Sequence, residues 1–319
     1  MQDKTAKAQN VLRSQTFGVE IECYNITREK AAKVAAEYFG TNNYWYTGRT
    51  DHYNCWSAFD AQGRKWKFES DSSIDAASGD EQTEVVTPVL RYNDIELLQG
   101  LVRVLRKAGA KSDPGAGCGV HIHVGLKSDD GLNHTPATLR NLANLMNAHQ
   151  YQLVKAIGVD QARLGRWCKV VEQSFLERLN REKPQTWEAL ADIWYPENGD
   201  NWNRTAHYNY TRYHMLNYHA CFTKGTIEFR CFQFARPAEG KQNGLHAGQL
   251  KAYIQLCLAM SAMAKLQKNC SPKPQQTENE AYAFRCWMLR LGFIGDEFKT
   301  AREILMKNME GNCAWRQAG

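Results

Sequence analysis

Three short segments carry chemically able side chains at every second position. They are Glu20 and Glu22 in FGVEIEC (17–23), His121 and His123 in GVHIHVG (119–125), and Glu228 and Arg230 in GTIEFRCF (225–232). Successive side chains of a β-strand point to opposite faces, so each pair shares a face, and the two imidazoles would lie roughly 6–7 Å apart. The reverse faces hold Phe17, Val19 and Ile21; Val120, Ile122 and Val124; and Ile227, Phe229 and Cys231. Those are ordinary core faces. A fourth segment, RKWKFESD, alternates Trp66 and Phe68 with Lys67, Glu69 and Asp71, and a fifth, TEVVTPVL, carries Glu84. One such pair alone reads as a wet strand face. Glutamate is a poor strand former, however, and its recurrence beside two histidines across these strands asks for a role.

Carboxylates gathered on one sheet repel, and the cluster becomes tolerable with cations among them. A carboxylate-dominated set selects hard ions such as Mg²⁺ or Mn²⁺. Two such ions beside an arginine are the equipment of phosphoryl transfer. No GxxxxGK[ST] loop is present. The run DPGAGCG ahead of the histidine strand offers backbone N–H groups to a phosphate, a weak signal by itself.

The elements that must position these residues are legible from caps and periodicity. Helices are expected over 28–39 after Thr27, over 94–108 with Asn93 and Glu96 as a capping box, and from Thr135-Pro136 to about Ile157 before Gly158. Others are expected over 169–181, 187–194 and 246–267. A terminal hairpin, 280–291 with 296–308, follows the linker CSPKPQQTENE. Strands separated by helices predict an α+β fold with one sheet face covered by helices and the other open.

The composition, 43% hydrophobic and 23% charged over 319 residues, is that of an ordinary globular chain. No apolar run approaches the ~20 residues that span a bilayer, and MQDKTAKAQNVLRSQ lacks a signal-peptide core, so a soluble, cytoplasmic protein is expected. Ten cysteines without a CxxC pair argue for reduced thiols rather than a zinc knuckle. The net charge of +6 is too mild for a nucleic-acid binder. Its densest basic stretch, LVRVLRKAGAK, falls on the solvated side of an expected helix.

Taken in order, FGVEIE, WKFESDSS, EVVTPVL, GCGVHIHVG and GTIEFR resemble the glutamine synthetase and glutamate–cysteine ligase superfamily of carboxylate–amine ligases, and within it the amidoligase branch. The resemblance runs over roughly 16–260. It implies a curved antiparallel sheet with helices on one face and an open face for metal ions and ATP. It implies a catalytic domain over 12–268, with a helical insertion at about 135–200, and a linker and helical hairpin over 269–319. Residue by residue, Glu20, His121 and Glu228 would hold one Mg²⁺ or Mn²⁺. Glu22 and Glu84 would hold a second, with Glu69 or Asp71; Glu81 also stays open for that place. His123 would lie near the nucleotide phosphates, and Arg230 with Arg212 (favoured over Arg204) would meet the phosphoryl group. Asp71 is a candidate base.

The implied reaction joins a carboxylate to an amine through an acyl phosphate. Three other readings stay open: a guanidino-kinase-like phosphotransferase on the same scaffold, a metal-dependent hydrolase using His121 and His123, and a non-catalytic binding module. Substrate identity and oligomeric state are not legible. Two aromatic, Asn-rich segments, 42–56 and 194–219, match no motif and are either pocket lining or plain loop.

Overall fold

The computed structural model describes residues 2–235, 244–274 and 277–314, so Gln275 and Gln276 of the expected linker lie outside the described residues. Among the described residues nine strands are found: β1 Gln15–Cys23, β2 Tyr44–Tyr46, β3 Trp56–Phe59, β4 Lys65–Glu69, β5 Thr83–Val86, β6 Leu90–Arg91, β7 Val120–Ser128, β8 Leu216–Asn217 and β9 Thr226–Phe232. The pairs β2–β3, β3–β4, β4–β5, β5–β1 and β8–β9 are antiparallel. The protein is thus a mixture of helices and a mostly antiparallel open sheet. Its chain divides into two compact units, 17–122 with 232–251 and 1–16 with 123–231 and 252–319, here called the Glu22 unit and the Glu228 unit.

In the Glu22 unit the strands run β2-β3-β4-β5-β1 and on to the first residues of β7, with β6 also paired to β1. Alternation holds: Phe17, Val19, Ile21, Trp66, Phe68 and Val85 are buried on one face. The helices Arg28–Tyr38 and Ile95–Lys107 cover that face, with Phe39 against Trp66 at 5.1 Å between ring centroids. Thr27 caps the first helix as expected. The capping box expected at Asn93 is absent. Residues Tyr92–Asp94 form a 3-10 turn, and the Asp94 carboxylate instead accepts the Arg91 N–H and pairs with Arg64. The segment 42–56, which matches no motif, supplies β2 and the start of β3, too short and too aromatic for a period-two reading to find.

The Glu228 unit is built on the rest of β7, β9 and β8. Its long helix Pro136–Ile157 starts at a Thr135–Thr138 capping box and ends at Gly158 in the left-handed region (φ 70). Asn141, Asn144, Asn147 and Gln150 repeat every three residues on it. The asparagine amides donate to the carbonyls of Ala264, Gln267, Cys270 and Pro272, and the Gln150 carbonyl accepts the Val171 N–H. This stripe satisfies the backbone where the helix Ala247–Leu266 ends. The expected terminal pair is present as Glu280–Arg290 and Lys299–Met306; the N-terminal helix Gln2–Arg13 is an addition that caps and periodicity do not announce. All ten cysteines are free thiols. Among the described residues no helix is long and apolar enough to cross a membrane.

Candidate functional site

Register lines up the acidic residues of the Glu22 unit. Glu69 on β4 stands opposite Glu84 on β5, which stands opposite Glu22 on β1. Like charges directly opposite destabilise a sheet, so the row is an arrangement the fold tolerates rather than uses for stability. His121, on the next strand, points one ring nitrogen at Glu20 (Nδ1 to Oε2, 3.1 Å) and the other at Glu22 (Nε2 to Oε1, 3.6 Å). Ligand atoms of Glu22, Glu84 and His121 all lie within 4.8 Å of one another.

Burial, and then the charges of Glu20, Glu22, Asp71 and Glu69, push the Glu84 carboxyl well above the ordinary carboxylate range. Two carboxylates, Glu84 among them, and an imidazole fit a divalent hard cation, which would relieve the repulsion that adds to burial in raising Glu84. Among the described residues the three-ligand groups contain His121 and not His123.

Three further expected residues belong to this unit. Glu69 accepts a hydrogen bond from Lys67, a side chain that sequence reasoning does not single out. Its sign and its place two residues away on the same face are the available clue. Asp71 accepts the Ser73 N–H at 2.8 Å in the turn after β4. Glu81 ends a 3-10 turn, Gly79–Glu81.

The N–H groups of the Gly-rich run are taken up within the protein. The N–H groups of Gly115, Ala116, Gly117 and Cys118 all go to Asp113 or Pro114 within the turn. The next one, Gly119, donates to Glu22 Oε2 at 2.6 Å. The turn therefore orients a candidate ligand. Gly117 sits at φ +78, and a Cβ there would lie 2.8 Å from the Ser73 carbonyl oxygen. Gly117→Ala is expected to cost about 1–3 kcal/mol and to loosen the Asp71–Asp75 turn, read by urea denaturation and by amide exchange of Ser73.

In the Glu228 unit, β8–β9 register sets Asn217 opposite Glu228. The Asn217 amide donates to Glu228 Oε2 at 2.6 Å and Arg230 donates to Oε1. His123 lies with Nε2 3.9 Å from the same carboxylate and Nδ1 2.9 Å from Thr226 Oγ1. The guanidinium groups of Arg212 and Arg230 both lie over the Tyr213 ring, 5.6 and 5.8 Å from its centroid.

Glu228, Asn217 and Arg212 line a cavity of about 200 Å³ with His207, His219 and Lys224. Burial holds His219 below the ordinary imidazole range, so its Nε2–H donates to the Ala206 carbonyl and it serves as scaffold. Arg204 is not part of this lining and is held by Asp192 and Asn201. Sequence reasoning misses Asn217 and Lys224. A two-residue strand such as β8 leaves no periodic signal.

A family model described as "Putative amidoligase enzyme" matches residues 13–261. The chain belongs to this amidoligase family. All of the side chains just placed fall inside the matched span, and the terminal helices Glu280–Arg290 and Lys299–Met306 fall outside it. No curated protein sequence matches the chain. Among solved structures it is similar to a bifunctional glutathione synthetase from Pasteurella multocida, at 13% identity over 96% of this chain and 49% of the other, with a TM-score of 0.48. It is also similar to ligand-free GmaS, at 12% identity over 95% and 71%, with a TM-score of 0.39. The amidoligase thus spans about half the length of that glutathione synthetase.

Proposed function

We propose that this amidoligase is an ATP-dependent carboxylate–amine ligase working on a glutamine synthetase-like sheet. The observation that carries the reading is the convergence of Glu22, Glu84 and His121 on the open face, with Glu84 forced above its ordinary range. In this reading Glu22, Glu84 and His121 hold one Mg²⁺ or Mn²⁺. Glu20 and Glu228 belong to the metal set on the strength of the family resemblance. The ions, when bound, supply neutralising charge for phosphate oxygens.

A substrate carboxylate oxygen bonds to the γ-phosphorus as the bond to the β-phosphate oxygen breaks, giving an acyl phosphate and ADP. The amine nitrogen, having given up a proton, then bonds to the acyl carbon as phosphate leaves. Arg212 and Lys224 give the cavity of the Glu228 unit the charge to receive phosphate groups, and its volume suits those groups rather than a whole nucleotide. Arg230, fixed by Glu228 and Tyr213, is pre-set to meet transition-state charge, the preorganisation that makes such groups effective. Asp71 is assigned the proton of the amine and His123 a place beside the phosphates.

Thermal denaturation with ATP or ADP, with and without Mg²⁺ or Mn²⁺, tests this without a known acceptor. Wild type should gain about 2.7 kcal/mol at 100 times the dissociation constant, and only with metal present. Glu20→Ala should lose the gain. No shift with either metal would overturn the proposal. Once a shift is seen, ADP release that needs both a carboxylate and an amine marks a ligase, whereas a stable phosphorylated product without an amine marks a phosphotransferase.

A further inference from the structure

Lys67 stands at the outer end of the carboxylate row, on the same face of β4 as Glu69. Its cross-strand neighbours, Ser57 on β3 and Val86 on β5, carry no charge. Its ammonium turns along its own strand and donates to Glu69. Asp51, another carboxylate whose charge reaches it, is already bound by Lys65 at 2.8 Å.

Glu69 is drawn out of the row in consequence. Its backbone stands directly opposite Glu84, and such a cross-strand pair brings Cβ atoms within about 5.5 Å. Even so, the three-ligand group that contains Glu84 is completed by Glu22 and His121, without Glu69. Of the four carboxylates whose charge raises Glu84, Glu69 shares the outer end of the order with Asp71, behind Glu20 and Glu22.

The charges close on this arrangement. One divalent ion balances Glu22 and Glu84, and Lys67 balances Glu69. An ion that captured Glu69 would leave the Lys67 ammonium uncompensated beside a second positive charge, so the two cations compete for that carboxylate. The number of carboxylates decides what the ion can do next. Mg²⁺ held through one or two carboxylates keeps octahedral positions for phosphate oxygens and water. A third would take one of those positions and make the ion with its ligands net negative, which repels a polyphosphate.

We propose that Lys67 sets the metal chemistry of the Glu22 unit: by holding Glu69 out of the ligand set, it limits the ion to two carboxylates and leaves it open to the phosphate groups of the nucleotide. The inference rests on the ligase reading above. Lys67 is a positioning residue, since it acts through Glu69.

Mn²⁺ titration of the full chain, followed by the EPR signal of the free ion, and then calorimetric titration of the Mn²⁺-loaded protein with ADP test this. Lys67→Met frees Glu69 to join the set, so it should tighten Mn²⁺ by about tenfold and weaken ADP by a similar factor. A folding defect would weaken both together, and the opposite signs are what a merely structural lysine would not produce. Lys67→Arg should behave as wild type. Lys67→Met combined with Glu69→Gln should return both affinities close to wild type, and Glu69→Gln alone should weaken Mn²⁺ far less than Glu84→Gln. Lys67→Met that binds Mn²⁺ no more tightly than wild type, or Glu69→Gln that loses Mn²⁺ as Glu84→Gln does, overturns the proposal. Glu84→Gln keeps the two readings apart. If it weakens Mn²⁺ while Lys67→Met changes nothing, the role of Lys67 alone is wrong; if wild type binds no Mn²⁺, the metal reading falls and this inference with it.

Discussion

Glu84→Gln should make the metal-free protein more stable and its catalysis worse. The side chain stands between Glu22 and Glu69 across the sheet, and cross-strand like-charge pairs cost roughly 0.2–1 kcal/mol each. Replacing the carboxylate by a neutral isostere removes both repulsions, a gain of about 1 kcal/mol with chelator present. The pH dependence follows from the direction of the shift. Glu84 is raised in the folded state by burial and by Glu20, Glu22, Asp71 and Glu69, so the unfolded chain loses this proton more readily than the folded one. The penalty is absent below the ordinary carboxylate range, grows as pH rises through it to the folded value, and stays constant above. The stability difference between variant and wild type should therefore be larger at about pH 8 than at about pH 4. Function moves the other way. Residues that merely orient a ligand are worth roughly 10–100-fold in metal affinity, so removing a ligand charge should weaken Mn²⁺ binding by about 100-fold or more and abolish the metal-dependent nucleotide shift. A variant that loses stability in chelator, or that keeps the nucleotide shift, would show Glu84 to be a structural residue.

The same row separates what is legible in the amino-acid sequence from what is not. The Glu-x-Glu, His-x-His and Glu-x-Arg pairs are legible because a strand with one buried face forces period two on its polar side chains, and burial of Phe17, Val19, Ile21, Val120, Ile122 and Val124 bears that out. Register is not legible. No local property of TEVVTPVL says that Glu84 pairs with Glu22 on one side and Glu69 on the other; that is set by strand order, β4-β5-β1, in which β5 inserts between strands far apart in sequence. Lys67 is legible as a residue but not as the partner of Glu69. The Gly-rich run is legible as a turn, but only its folded geometry shows that Asp113 and Pro114 take the N–H groups that a phosphate would need.

Helices with Pro or Thr at one end and Gly at the other are legible because their ends satisfy backbone groups locally, as Thr135 and Gly158 do. Where a tertiary partner takes the capping residue, the local rule fails: Asp94 pairs with Arg64 and the helix starts without a side-chain cap. The segment 42–56 is opaque for the opposite reason. Its order comes from positive-φ residues clamped by a distant arginine, Arg28, and nothing near His52 in the sequence announces it.

Asp60→Ala should be among the most damaging substitutions away from the carboxylate row. Asp60 closes the turn between β3 and β4, and its carboxylate accepts the N–H groups of Gln62 and Arg64, the Arg64 Nε at 2.8 Å and the Trp66 indole at 2.9 Å. Burial alone would raise this carboxyl; the Trp66 and Arg64 donors outweigh burial and hold it below the ordinary range. Removing the carboxylate leaves the buried Trp66 indole N–H without an acceptor, at about 1–3 kcal/mol, while the Arg64 guanidinium keeps Asp94. A group whose folded value is depressed contributes its stability above the ordinary carboxylate value of 3.8 and loses it as pH falls through the folded value. Urea denaturation should thus show the full gap between Asp60→Ala and wild type at about pH 7 and a narrowing gap below pH 3.8. The hairpin that Asp60 closes also carries Phe59, under Trp45, and Lys67, against Glu69. The variant should therefore weaken Mn²⁺ binding under conditions where it is still folded, because Glu69 stands opposite Glu84, whereas a substitution in the asparagine stripe of the Glu228 unit, such as Asn144→Leu, should leave that binding unchanged. If Asp60→Ala and Asn144→Leu weaken Mn²⁺ binding equally, the effect is one of global stability and the hairpin holds no special place in the site.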